Sequence, residues 1–177
     1  MFKIDPNRLV FIDESGAKTN MVRLRGRARK GERVYSKAPC GHWCTTTMIG
    51  AIRYDGQTAC MAIEGATNAE VFRAYVTEVL VPSLHEDDIV ILDNLSAHKD
   101  RKALEAIEEA GARVMFLPAY SPDLNPIEKM WSKVKQILRS IAARTEDELH
   151  RAIAEALALI SPEDASGWFQ SCGYGFS

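Results

Sequence analysis

The sequence predicts an α/β domain built on a mixed sheet with helices on both faces. Three observations carry this expectation. Short β-branched and aromatic runs come first and imply three consecutive strands; strand and helix patterns then alternate; and capping signatures open the later helical stretches. The chain has 177 residues, which a prior of ~150 residues per domain reads as one domain. With 46% hydrophobic and 26% charged residues, the composition excludes disordered, collagen-like and disulfide-scaffold classes. No apolar run approaches the ~20 residues of a membrane span. The opening MFKIDPNRLV has neither a basic n-region nor a long apolar h-region, so a cytoplasmic protein without a membrane partner is expected.

Residues Arg8–Ile12 (RLVFI) read as the first strand, ending at the turn-rich tetrad Asp13-Glu14-Ser15-Gly16. Thr46–Tyr54 and Thr58–Ile63 are two further strands, joined through Asp55-Gly56-Gln57, a hairpin signal. Thr67-Asn68-Ala69-Glu70 has the form of a capping box, and Phe72, Tyr75, Val76, Val79 and Leu80 then recur at helical spacing up to Pro82. Asp88–Leu92 is a short buried strand, Asp100–Ala110 a helix stopped by Gly111, and Arg113–Leu117 the fifth strand. The three prolines of Pro118–Pro126 imply a stiff loop. A long helix follows, with Asn125 suited to the N-cap, Pro126 to the first helical position, and an apolar stripe through Ile127, Met130, Trp131, Val134, Ile137, Leu138 and Ile141. Thr145-x-x-Glu148 opens another helix, and Ser161-Pro162 a short helical tail.

Four cysteines in a chain without an export signal are expected to be thiols. Cys40, His42 and Cys44 are close in sequence, but their spacing is not a standard zinc pattern. The net charge of −2 hides an asymmetry: from Lys18 to Lys37 eight basic residues face Glu32 alone. In this stretch Arg23, Arg25, Arg27 and Arg29 alternate, so an extended ribbon would place all four on one side. That is either a phosphate-facing comb, with Lys30 beside it, or a charged edge strand protected against aggregation.

Three acids occupy comparable places. Asp13 follows the first strand, Asp93 follows the fourth, and Glu128 lies in the first turn of the long helix. Singly, each has an ordinary explanation as a turn or cap residue. If the first and fourth strands are adjacent, however, the three form a carboxylate cage at the strand ends, suited to hard divalent cations. Two such ions would support in-line phosphoryl transfer. Ser132, Lys135 and Arg139 fall within ~40° of Glu128 around the helix, so that face either is ordinarily solvated or tracks a phosphate backbone.

The segments FIDES, ILDNLSAHK and LPAYSPDLNPIEKMW, with 34 residues between Asp93 and Glu128, resemble the DDE catalytic domain of insertion-sequence transposases of the IS630 group, kin to the Tc1/mariner superfamily. RLRGRARKGERV, APCGHWCTTTMIGAIR and CGYGF resemble further stretches of that group, so the likeness runs from about Leu9 to Tyr174. It implies an RNase H-like fold, here a mixed five-stranded sheet flanked by helices with a basic β-ribbon inserted after the first strand. It also implies that Asp13, Asp93 and Glu128 are catalytic and hold two Mg²⁺ or Mn²⁺ ions, and that Asn94 and His98 orient a metal ligand or phosphate. The implied partners are transposon terminal inverted repeats and a TA target, bound by a homodimer at the nucleoid. Members of the group usually carry an N-terminal helix-turn-helix region; residues 1–177 read as the catalytic domain alone, either the second reading frame of a split element whose upstream frame product would read sequence, the tail of a frameshift product, or a truncated remnant.

Three functions remain open at this point: a transposase catalytic domain, a host nuclease of the same fold, and a non-catalytic DNA-binding remnant. The presence of all three acids counts against the remnant. Strand transfer, as opposed to hydrolysis alone, separates the first two.

Overall fold

The computed structural model describes residues 4–40, 42–119 and 121–175. Five strands, β1 (Leu9–Lys18), β2 (Thr45–Arg53), β3 (Thr58–Glu64), β4 (Ile89–Leu92) and β5 (Arg113–Phe116), form one sheet in the order β3-β2-β1-β4-β5. The β1–β2 and β2–β3 pairs are antiparallel, and β1–β4 and β4–β5 are parallel. Among the described residues five α-helices accompany the sheet: α1 (Ala69–Tyr75), α2 (Arg101–Glu109), α3 (Pro126–Ile141), α4 (Glu146–Ala158) and α5 (Pro162–Ser171). None of the described helices is long and apolar enough to cross a membrane.

Alternation along β1 divides the core into two layers. Leu9 and Phe11 pack with α3, α4 and α5, whereas Val10 and Ile12 pack with α1 and α2. On the first side, Phe11 meets Phe169 edge-on at 5.2 Å and Tyr174 at 5.0 Å. The Tyr174 hydroxyl donates to Leu124 O at 2.9 Å, which fixes the loop leading into α3. The β2–β3 turn uses Gly56 at φ 87°, a value that side chains avoid.

Four local expectations are corrected. First, β1 does not end at Ile12: it runs on through Asp13-Glu14-Ser15-Gly16 to Lys18, because β2 pairs with it along that whole length. Second, the cap of α1 is Asn68, whose side chain accepts from Val71 N at 2.9 Å, rather than a Thr67 box. Third, the helix begun at Ala69 passes into a π turn at Val76–Leu80 and a 3-10 turn at Val81–Ser83, where Pro82 has no N–H to continue the ladder.

The fourth correction concerns the basic insertion, which is an arm and not a β-ribbon. No strand occurs between Lys18 and Thr45 among the described residues. Its neck is closed by Thr19 N donating to Cys44 O and Cys44 N donating to Thr19 Oγ1, both at 3.2 Å. The Arg144 guanidinium anchors the base on Thr19 O and Met21 O, each at 3.1 Å. Within the arm, a turn joins Arg29 O to Glu32 N at 3.0 Å. The doubled-back limbs touch where a Cβ on Gly26 would meet Val34 Cγ1 at 2.6 Å. With no neighbouring strand to supply ladder partners, the alternating arginines have no pleat to align them.

Gly50 brings α3 onto the sheet. It lies opposite Asp13 on β2, and a Cβ there would stand 2.6 Å from Cys60 Sγ and 2.9 Å from the Trp131 ring. Gly50→Ala is therefore expected to cost about 1–3 kcal/mol through overpacking. Urea unfolding measures this, and an unchanged midpoint would mean that α3 does not depend on the close approach.

Candidate active site

The β1–β4 register matches Leu9 to Ile89 and Phe11 to Ile91, so continuing it sets Asp13 level with Asp93, just beyond β4. The adjacency on which the cage depends is thus present. By alternation Asp13 belongs to the row facing α3, and Gly50 lets α3 lie close enough for Glu128, in its first turn, to join it. Asp13, Asp93 and Glu128 line one cavity of about 420 Å³ together with Asn94, Asn125 and the Leu117–Ala119 segment.

Electrostatics mark Asp13. It is only 8% exposed, and burial, reinforced by the negative charges of Glu128 and Asp93, pushes its carboxyl up to about 7 despite a backbone hydrogen bond that opposes the rise. Asp93 is held differently. Burial would raise it, but hydrogen bonds from His98 and Leu95 N lower it below the ordinary carboxylate value.

His98 is fully buried, beneath the Phe72 ring at 4.6 Å. Its Nδ1 meets Asp93 Oδ1 at 2.5 Å and its Nε2 meets Glu14 Oε1 at 3.2 Å. Burial alone would lower this imidazole; the two carboxylates more than reverse that and raise it to about 9. At neutral pH both ring nitrogens therefore donate. Glu14 belongs to the row facing α1 and α2, so His98 braces Asp93 from the side of the sheet opposite α3. Sequence reading paired His98 with the site but missed Glu14, because the 84-residue separation carries no local signal.

Asn94 holds the scaffold: its Nδ2 donates to Leu117 O at 2.7 Å, tying the exits of β4 and β5 together. Asn125 occupies the N-cap position of α3, but its side chain makes no capping bond. Glu128 is thus not engaged in a reciprocal cap, and it faces the cavity.

Among the described residues, no three histidine, cysteine, aspartate or glutamate side chains converge closely enough to hold a metal ion as they stand. One oxygen of Asp93 is drawn toward His98 and Leu95 N, leaving the other for the cavity. The side-chain oxygens around the cavity are hard donors, three carboxylates, the amides of Asn94 and Asn125 and the Ser121 hydroxyl, which is the chemistry Mg²⁺ and Mn²⁺ prefer. Cys40 and Cys44 lie exposed on the arm with free thiols, away from this cavity.

A second cavity, of about 810 Å³, separates the arm from α3; Arg23, Arg25, Ser132 and Arg139 contribute to it. A third, of about 530 Å³, shares Glu128 with the acid cavity and Ser132 with the arm groove. One trough therefore runs along α3 from the acids to the arm. Arg27, Arg29, Lys30 and Lys135 do not line it. Lys133 also lines it but is paired with Asp164.

The sheet order, the helices on both faces, and the acids within β1 (Asp13) and just beyond β4 (Asp93) define an RNase H-like fold. The chain belongs to the DDE superfamily endonuclease family, whose sequence profile matches residues 8–150. No curated protein matches the sequence significantly. Among solved structures, it is similar to the Mos1 transposase paired-end complex with left transposon end: TM-score 0.71, 20% identity, covering 93% of this chain and 52% of that one. The Mos1 mariner paired-end complex with Mn gives a TM-score of 0.69 at 20% identity, with 93% and 52% covered. The catalytic core domain of BIV integrase gives 0.57 at 13% identity, covering 95% of this chain and 99% of the core. The chain thus spans about half the length of the Mos1 chains.

Proposed function

We propose that this chain is the catalytic domain of a cut-and-paste transposase of the IS630 type, cleaving DNA phosphodiesters and transferring the freed strand to target DNA. The observation that carries this reading is the meeting of Asp13, Asp93 and Glu128, from three separate elements, around one cavity. These residues would hold Mg²⁺ or Mn²⁺. Divalent ions bound there would supply activation of the attacking oxygen and stabilisation of the leaving one.

The chain's own residues would do the rest. Asp13 would give up its proton to present a third negative charge toward the cavity, beside Asp93 and Glu128. His98, fixed between Asp93 and Glu14, keeps one Asp93 oxygen engaged and the other aimed at the reacting phosphate. Ser132, Arg139, Arg23 and Arg25 would carry the phosphate backbone along the trough beyond Glu128. From Glu128 to Arg139 the helix rises roughly 16 Å at 1.5 Å per residue, the length of about five nucleotides at 3.4 Å each. The same reading takes the bound DNA to be transposon ends, paired by a homodimer and joined at TA, with sequence reading supplied by a helix-turn-helix partner.

Strand-transfer assays test the proposal. With Mn²⁺ and precleaved terminal-repeat duplex, joined products are expected; hydrolysis without joining would favour the host nuclease, and neither activity would favour the remnant. For the trough, Arg23→Ala with Arg25→Ala is expected to flatten the slope of log K against log salt by up to ~1.8, at ~0.9 per phosphate neutralised. An unchanged slope would remove the arm from the DNA path.

A further inference from the structure

An asparagine before a helix ordinarily accepts a hydrogen bond from an amide of the first turn. Asn125 does not. Pro126 holds it extended, at φ −112° and ψ 97°. The amide of Glu128, which an N-cap side chain would take, donates to Asn125's own carbonyl oxygen at 3.3 Å. Asn125 is 5% exposed, and its side-chain Oδ1 is buried without a hydrogen-bond partner among the described residues. A buried acceptor that lacks a donor is destabilising and requires an explanation. Its location supplies one, since Asn125 lines the same cavity as Asp13, Asp93 and Glu128.

We propose that Asn125 is a fourth oxygen donor of the acid cavity, its amide oxygen holding the divalent cation directly or through one of the cation's waters. The inference rests on the acid-site reading above and extends it. Amide carbonyls are established ligands of hard cations. A neutral donor also suits a place where three carboxylates already crowd one another: it adds an oxygen without adding charge, and a cation or its water provides the partner that Oδ1 lacks.

The test is calorimetric titration of Mn²⁺ into the full chain at pH 8, alongside thermal unfolding in EDTA, for the wild type, Asn125→Ala, Asn125→Asp and Glu128→Gln. Asn125→Ala is expected to weaken Mn²⁺ binding about 10- to 100-fold, the range for removing a supporting group at a metal site. In EDTA its melting temperature should be unchanged or higher, because the substitution removes an unpaired buried oxygen. A residue that merely supports the fold would show the reverse pattern. Asn125→Asp keeps the oxygen and should bind Mn²⁺ within a few-fold of the wild type or more tightly, while melting lower in EDTA through repulsion from the acids.

Mn²⁺ affinity in Asn125→Ala equal to that of the wild type overturns the proposal. Should that variant fail to fold, Asn125→Ser, whose hydroxyl can cap α3, provides the same comparison, with the same result overturning it. If binding is lost in Glu128→Gln but intact in the Asn125 variants, the acid site stands and Asn125 alone falls. If the wild type shows no saturable Mn²⁺ binding, both fall.

Discussion

Asp93→Asn and Glu128→Gln are each expected to reduce metal-dependent nicking of supercoiled DNA by at least about 10²–10³-fold, the scale on which a single preorganised electrostatic group acts in catalysis. Neither should unfold the chain. Glu128 is exposed and makes no cap bond that its replacement would break, and Asp93 is only half-buried, with a carboxamide able to keep one of its hydrogen bonds. Single-turnover nicking in Mn²⁺, with urea unfolding of the same samples, measures both halves. Full activity in Glu128→Gln would end the assignment of that residue to the metal.

Asp13→Asn should behave differently, becoming inactive yet more stable at alkaline pH. In the unfolded chain the Asp13 carboxyl loses its proton near 3.8; in the folded chain it does so near 7. Between these values the folded state binds more protons, so stability falls as pH rises through this window and is level again above it. The penalty amounts to as much as about 4 kcal/mol, at 1.36 kcal/mol per pH unit. Asparagine carries no charge and escapes the penalty. Calorimetric scans in EDTA should therefore show the variant melting on the order of 10 °C above the wild type at pH 8, with little difference at pH 4. A difference that does not change with pH would mean that the Asp13 carboxyl is hydrated and ionises normally. Mn²⁺ should stabilise the wild type at pH 8 and leave the variant nearly unmoved, since the cation relieves the repulsion that the variant lacks.

These two results would describe one design. On that design the site would be built by burying a carboxylate beside two others, destabilising the free fold and preparing it for a cation. His98 follows the same logic with opposite sign, since it is buried but charged because Asp93 and Glu14 embrace it.

How much of this was legible in the sequence depends on the range of the interaction responsible. The order of strands and helices, the Asp-Gly turn, the capping box at Thr145, the helix start at Ser161-Pro162 and the apolar stripe of α3 all follow from periodicity and neighbour chemistry within a few residues, and each is present. The three acids were visible because their spacing resembles a family. The arm was visible as a run of charge, but its conformation was not: alternation alone cannot make a strand when no other strand offers ladder partners. For the same reason the end of β1 was misplaced, since the pairing with β2 that carries it through Asp13 to Lys18 is made by residues 27 to 37 positions away. Local sequence determined which elements form and which residues are candidates for the chemistry. The tertiary structure alone decided that Asp13 is desolvated, that His98 joins Asp93 to Glu14 and that Asn125 leaves the cap of α3 unmade, because burial and pairing across the sheet are set by distant parts of the chain.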